Sequence, residues 1–299
     1  MSPSEPLSSQ PDLPFAPRIL DGKAMAAAWR EEIASSVRSL GLKPGLAVVL
    51  VGDDPASKVY VGSKEKAATG AGFHSVVDRL PGDTTQDELL ARVRKLNADA
   101  SIHGILVQLP LPAHIDESAV VHAIDPAKDV DGFHPFNMGL LLQGTPRFIS
   151  ATPRGIVEML ERADITTSGK RVVVVGRSNI VGKPMAAALL MKGRDATVTV
   201  AHSRTRELAS VTRQADILIA AVGVRHLITA EHVRDGAVVI DVGMHRTEAG
   251  LTGDVDFATV APKCSAMTPV PGGVGPMTIA GLLSNTLDAA RQAASHAAD

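Results

Sequence analysis

The segment from Val172 to Leu190, VVVVGRSNIVGKPMAAALL, constrains this chain more than any other. A run of valines reads as a buried strand, a loop bracketed by Gly176 and Gly182 follows, and a helical pattern closes the segment. Such a turn brings backbone N–H groups and the positive helix end up to an anion, because glycine removes the side chains that would block approach. The two glycines stand too far apart for the strict G-x-G-x-x-G fingerprint. Two readings follow: a dinucleotide site, or a turn that serves packing alone.

The next strand, ATVTVAHSRT, bears on that choice. A site for an unphosphorylated ribose usually places Asp or Glu at this strand's end. Here the end carries His202, Ser203, Arg204 and Thr205, with Arg177 in the preceding loop. A basic, hydroxylic corner suits a 2′-phosphate, which favours NADP over NAD; ordinary solvated loop residues are the other reading.

A chain of 299 residues with 45% apolar content can build two domains sharing a cleft, or one large domain. Its 30 basic and 32 acidic residues form no long block of either sign, which argues against nucleic acid and membrane surfaces and for small-molecule chemistry. No apolar run approaches the roughly 20 residues of a membrane helix. The N-terminus, MSPSEPLSSQPDLPFAP, has neither an early positive charge nor an apolar core, so residues 1–17 read as a disordered tail and the protein as cytoplasmic. The single cysteine, Cys264, rules out an intrachain disulfide and reads as a small buried hydrophobe.

Strand and helix patterns alternate from residue 18 onward, which argues for parallel sheets in an α/β fold. Helices are expected at 24–40, 57–69, 85–97 and 116–123, and strands at 46–52, 74–80 and 104–112. The Gly/Pro-bearing region from Asp125 to Pro153 interrupts the rhythm and marks a domain boundary. Beyond it come a helix at 155–163, strands at 172–175, 197–201, 216–222 and 237–242, and a last helix from Ile279 to about Ala294. The expected domains are therefore 18–152, rejoined by the C-terminal helix from 279 onward, and a nucleotide-type domain at 153–278.

Several groups of residues carry possible chemistry. Ser57 reads as the N-cap of a helix on which Tyr60, the only tyrosine, and Lys64 share one face. Gln108 sits in an apolar strand just before LPLP, where parallel sheets place ligands; its partner is a backbone group, a substrate or Lys64. Asp129, Asp131 and Gly132 are out of register for a calcium loop, whereas an aspartate there can accept two N–H bonds from an amidine-like heterocycle edge. The loop PVPGGVGP (269–276) is rigid and bare, suited to a flat ligand or to a packing corner between domains. The ten histidines show no metal-binding spacing, and there is no P-loop.

Taken in order, YVGSKEKA (60–67), VQLPLP (107–112), DVDGFHP (129–135), VGRSNIVGKP (175–184) and TPVPGGVGPMT (268–278) resemble the bifunctional methylenetetrahydrofolate dehydrogenase/cyclohydrolase family, the FolD type. The resemblance spans nearly the whole chain after residue 18. It implies an N-terminal α/β catalytic domain, a Rossmann-like NADP domain, tetrahydrofolate derivatives bound in the cleft between them, and a homodimer acting in one-carbon metabolism and purine biosynthesis. It further implies that Lys64 is catalytic, that Gln108 is its partner, that Tyr60 stacks on the folate and that Asp131 anchors the pterin. Gly272, Gly273 and Gly275 match the folate loop, with Thr278 beside it; Gly176, Arg177 and Ser178 match the cofactor loop, with Ser203 near the 2′-phosphate. One departure is visible: Met244 and His245 follow Asp241-Val-Gly where the family commonly has Ile-Asn, and Met244 is an apolar substitute on the nicotinamide side. The rival readings, a dehydrogenase of an amino or hydroxy acid and a non-enzymatic NADP sensor, give Tyr60, Lys64, Gln108 and Asp131 no common purpose.

Overall fold

Local sequence decides the element order before any packing is considered. The computed structural model describes residues 17–296; the tail expected at 1–17 lies, Pro17 apart, outside the described residues. The first half runs β1 (Arg18–Ile19), α1 (Gly22–Leu40), β2 (Gly45–Val51), α2 (Pro55–Gly70), β3 (His74–Leu80), α3 (Gln86–Ala98), β4 (Gly104–Val107), α4 (Glu117–Ala123), α5 (Pro135–Leu142) and α6 (Ala151–Arg162). The second continues with β5 (Arg171–Val175), α7 (Gly182–Leu190), β6 (Thr197–Ala201), α8 (Leu208–Thr212), β7 (Ile217–Ala220) and β8 (Ala237–Asp241). It ends with β9 (His245–Thr247), β10 (Gly250–Thr252), α9 (Phe257–Val260), β11 (Cys264–Met267) and α10 (Val274–His296).

The apolar runs form two parallel sheets. β2, buried along its whole length as a doubly covered strand must be, is the centre of a three-stranded sheet ordered β3-β2-β4. The valines of β5 sit between β6 and β7 in a six-stranded sheet ordered β1-β11-β8-β7-β5-β6. β9 and β10 make a separate antiparallel hairpin. This is the expected two-part α/β fold with parallel sheets. β1 pairs with β11, so the chain enters through the larger sheet before α1 begins the other half.

Several boundaries differ from the sequence expectation. The N-cap of α2 is Asp54, whose carboxylate accepts the Ser57 N–H, and not Ser57; Pro55 then starts the helix with the fixed φ that suits its first turn. β4 stops at Val107, because Pro110 and Pro112 have no N–H to offer a ladder. α10 begins at Val274, five residues before Ile279, so the last three residues of the PVPGGVGP loop are helix. Pro276 fits there because first-turn amides need no helical partner, and α6 starts at Ala151 with Pro153 in its first turn for the same reason. α5 falls in the region read as an irregular boundary.

α6 and α10 hold the halves together at backbone distance. A Cβ on Gly155 would lie 2.7 Å from the Met277 carbonyl, and one on Gly281 2.6 Å from the Ala151 carbonyl oxygen. Arg154 of α6 donates to Asn285 Oδ1 at 2.6 Å, Ser284 Oγ at 2.7 Å and Asp288 Oδ2 at 2.8 Å, all on α10. The fully buried Asn285 in turn donates to the Val130 and Ile149 carbonyls, tying the Asp125–Pro153 region to the same helix. Cys264 is buried, and burial pushes its thiol up to about 12, in keeping with a packing role.

Gly155→Val is expected to destabilise the protein by about 1–3 kcal/mol, since the clash is with backbone that cannot swing away. Gly139→Ala in exposed α5, where a new Cβ meets nothing within 4 Å, is expected to be neutral or to stabilise by up to ~1 kcal/mol. Denaturant melts of the two variants check the pair.

Candidate active site

Three segments carry the polar residues of the first half to one place. On α2, Ser57, Val61, Lys64 and Ala68 form the buried face, so Lys64 is 7% exposed although its type prefers water. Gln108 follows β4 directly, and its N–H still bonds to Val49 of central β2. Lys64 Nζ donates to Gln108 Oε1 at 2.9 Å, while Gln108 Nε2 donates to the Leu109 carbonyl at 2.6 Å. The backbone partner and the lysine partner foreseen as alternatives are thus both present. Lys64 Nζ also stands 5.6 Å from the centre of the Tyr60 ring.

Asp131 is placed by the loop that precedes α5. Lys128 Nζ donates to the Leu96, Asn97 and Asp99 carbonyls at the end of α3, fixing the loop to the small sheet's covering layer. Asp129, 1% exposed, accepts from the Phe133 and His134 amides and from Asn137 Nδ2, which closes the turn around Asp131. Asp129 attracts notice in the sequence only as a failed calcium ligand; its real signal is an aspartate three residues before a Gly and five before a helix-starting His-Pro.

Electrostatics here are governed by burial. Desolvation holds the Lys64 ammonium below the usual lysine range, opposed by the nearby Asp131 carboxylate, which favours the charged form. Burial pushes Asp131 up to about 6, with Lys64 pulling it down and Asp129 raising it. Burial raises Tyr60 as well. A lysine poised to shed its proton beside an acceptor-rich amide can act as a general acid or base.

A cavity of about 860 Å³ opens between the halves. Tyr60, Met244, Gly272, Gly273, Gly275 and Thr278 line it. A Cβ on Gly273 would lie 2.5 Å from the Pro269 carbonyl oxygen, and Gly272 has a φ of +101°, so this wall is bare by requirement at those two positions. Thr278 Oγ1 bonds to Thr152 Oγ1 at 3.1 Å across α10 and α6. Lys64, Gln108 and Asp131 do not line the cavity's wall; Tyr60 connects them to it.

Gly176, Arg177, Ser178 and Ser203 sit apart, at the carboxyl ends of β5 and β6. Gly176 has a φ of +128° and its N–H bonds to the Ala201 carbonyl, so the loop before α7 lies beside the loop after β6. Ser178 Oγ accepts from the Val181 and Gly182 amides, capping the start of α7. Arg177, Ser203 and Arg204 are exposed, and neither guanidinium has a carboxylate partner among the described residues. Unpaired cations, a hydroxyl and a helix start at a reversal of strand order fit the phosphates of NADP. Among the described residues no helix is long and apolar enough to cross a membrane.

A parallel-sheet nucleotide half joined across a cleft to a half with a buried lysine defines a two-domain α/β dehydrogenase. The family model of the tetrahydrofolate dehydrogenase/cyclohydrolase catalytic domain matches residues 20–131, and that of the same family's NAD(P)-binding domain matches residues 150–294. This chain belongs to that family of bifunctional enzymes. It is similar to the bifunctional protein FolD of Acidiphilium cryptum, 59% identical over 92% of this chain and 99% of that one. Among solved structures it is similar to the FolD dehydrogenase/cyclohydrolase of Campylobacter jejuni, at 48% identity and a TM-score of 0.89 over 93% of this chain and 99% of that one. The Trypanosoma brucei enzyme, solved with NADP and an inhibitor, is 38% identical with a TM-score of 0.88 over 93% and 98% of the two chains.

Asp131→Asn is expected to lower the Lys64 pKa further, because it removes the negative charge that favours the ammonium. Nitrogen or Cε chemical-shift titration of Lys64 in both proteins checks the sign; an upward shift would contradict it.

Proposed function

We propose that this protein oxidises 5,10-methylene-tetrahydrofolate with NADP to the methenyl form and hydrolyses that to 10-formyl-tetrahydrofolate in one cleft. The observation that carries the assignment of residues is the Lys64–Gln108 bond at 2.9 Å beneath the only tyrosine. Tyr60 offers its ring face to the folate, against the bare wall of Gly272, Gly273 and Gly275, with Thr278 at its edge. Asp131 accepts the N–H groups of the pterin's amidine-like edge.

NADP, when bound, accepts a hydride from the methylene carbon. The chain's part in that step is alignment, so no strong base is needed there. Gly176, Arg177, Ser178 and Ser203 hold the phosphates, and Met244, half exposed, gives an apolar contact on the nicotinamide side. Hydrolysis is different: water adds to the cationic methenyl carbon and the ring opens, which requires protons to leave oxygen and reach nitrogen. Lys64, whose ammonium burial disfavours and which Gln108 orients, moves those protons.

In this reading the domains divide at about residue 152, with α10 rejoining the first. The protein acts in the cytoplasm, where its lone buried thiol stays reduced, and its product supplies one-carbon units for purine biosynthesis. It works as a homodimer. β6 is the outer strand of the large sheet, and Thr197, Thr199 and Val200 are exposed along it without a lysine or proline to guard the edge, which suits pairing with a second copy. Sedimentation should give a dimer mass, shifted toward monomer by Val200→Lys.

An absorbance time course with methylene-tetrahydrofolate and NADP tests the activity. Reduced cofactor should form without build-up of methenyl-tetrahydrofolate, and Lys64→Met should abolish hydrolysis, so that methenyl accumulates or oxidation stalls, while NADP binding persists. Undiminished hydrolysis in that variant would remove Lys64 from the mechanism. Because Asp131 titrates near 6, the folate KM is expected to rise as pH falls through about 6 and to stay level above it. Asp131→Asn should raise KM above pH 6 to about the level the unaltered protein reaches in acid, and so flatten the profile.

A further inference from the structure

Two buried carboxylates stand at the carboxyl ends of β7 and β8: Asp254, and Asp241, which also lines the cleft. Asp241, 3% exposed, accepts from the Gly243, Asp254 and Val255 amides. Asp254, fully buried, accepts from the Val222 N–H at 2.7 Å and the Gly223 N–H at 3.0 Å through Oδ2. Its other oxygen, Oδ1, takes the Nε2–H of His245 at 2.8 Å. A carboxylate only accepts, so the ring must carry its proton on Nε2. The packing leaves no slack: a Cβ on Gly243 would lie 2.3 Å from Asp254 Oδ1.

We infer that His245 is a positioning residue for the nicotinamide half of the dinucleotide, acting through Asp254 on the Val222–Gly223 backbone. This rests on the reading of an NADP site. The exposed cations that suit the 2′-phosphate lie on the β6 side of β5, and β7 and β8 lie on the other side. The remainder of a dinucleotide laid across the strand ends therefore meets the loop after β7 and the residues after β8, where Met244 already lines the cleft. His245 follows Met244 directly, at the start of the β9–β10 hairpin. Its single bond to Asp254 joins that hairpin to the end of β7. Without it, Asp254 would keep its two amides but lose the donor on Oδ1, and the Val222–Gly223 amides would hang on a carboxylate with one restraint fewer, while His226 and Ile228 still tie the segment beyond them to Gly253 and Asp254.

The test compares two ligands by calorimetric titration: NADPH, and adenosine 2′,5′-bisphosphate, which lacks the nicotinamide half. His245→Ala is expected to weaken NADPH by about tenfold and leave the bisphosphate unchanged. His245→Gln, whose Nε2–H reaches a similar position, should restore NADPH to within about threefold. Amide exchange at Val222 and Gly223 should quicken in the alanine variant and recover in the glutamine one. Equal weakening of both ligands would make His245 a general structural residue, and unchanged NADPH affinity would remove it from the site; either overturns the inference. If the unaltered protein binds neither ligand, the NADP reading itself fails, and the role of His245 falls with it.

Discussion

The approach of α6 to α10 at backbone distance is the constraint on which the rest depends. Small residues at Gly155 and Gly281 let the two helices touch through carbonyls rather than side chains. Neither helix can then slide without opening a gap that nothing fills. Arg154 and Asn285 add directional bonds to the same seam and extend it to the Val130 and Ile149 carbonyls, next to the turn that presents Asp131. The cleft walls are therefore set by a joint whose geometry is fixed on one side. A cavity between two independently mobile halves would not hold the Tyr60 ring plane and the glycine wall in register.

Within the cleft the same polar chemistry is used in two ways. Around Lys64 the protein withholds water and supplies few partners, which works against the ammonium. Around Asp254 it withholds water and supplies every partner, so the carboxylate serves as a fixed knot for backbone. Asp241 lies between these cases: three amides bond it, yet burial still pushes it up to about 6. Satisfied buried polar groups shape the site, and the incompletely satisfied one keeps hydrogen-bonding capacity to spare.

The sequence carried the sheets well, because β-branched runs such as those of β2 and β5 have few other uses. It also carried the face shared by Tyr60 and Lys64, since helical spacing is local. The Lys64–Gln108 bond was open in the sequence, because it spans β2, α2 and β4 and depends on parallel order. Helix starts were misjudged where proline or glycine lay in the first turn, as in α6 and α10, because those residues break helix interiors but are tolerated where amides are unpaired. The link from His245 to Asp254 had no sequence signature beyond an unusual residue after Met244. The pairing of β1 with β11 had none either, being two residues long.

That small strand has a consequence for how the chain is made. Arg18 and Ile19 lie opposite Ala266 and Met267, and the next backbone bonds run from Leu20 to Met267 and from Lys23 to Gly272. The earliest described part of the chain to leave a ribosome thus waits for partners synthesised almost last, as does α1 for α10. The β3-β2-β4 sheet has its own partners within the first half, but β1 and α1 cannot settle while the second is being translated. Completion is a late, concerted event, and the stretch around β1 and α1 is exposed to holding factors for nearly the whole period of synthesis.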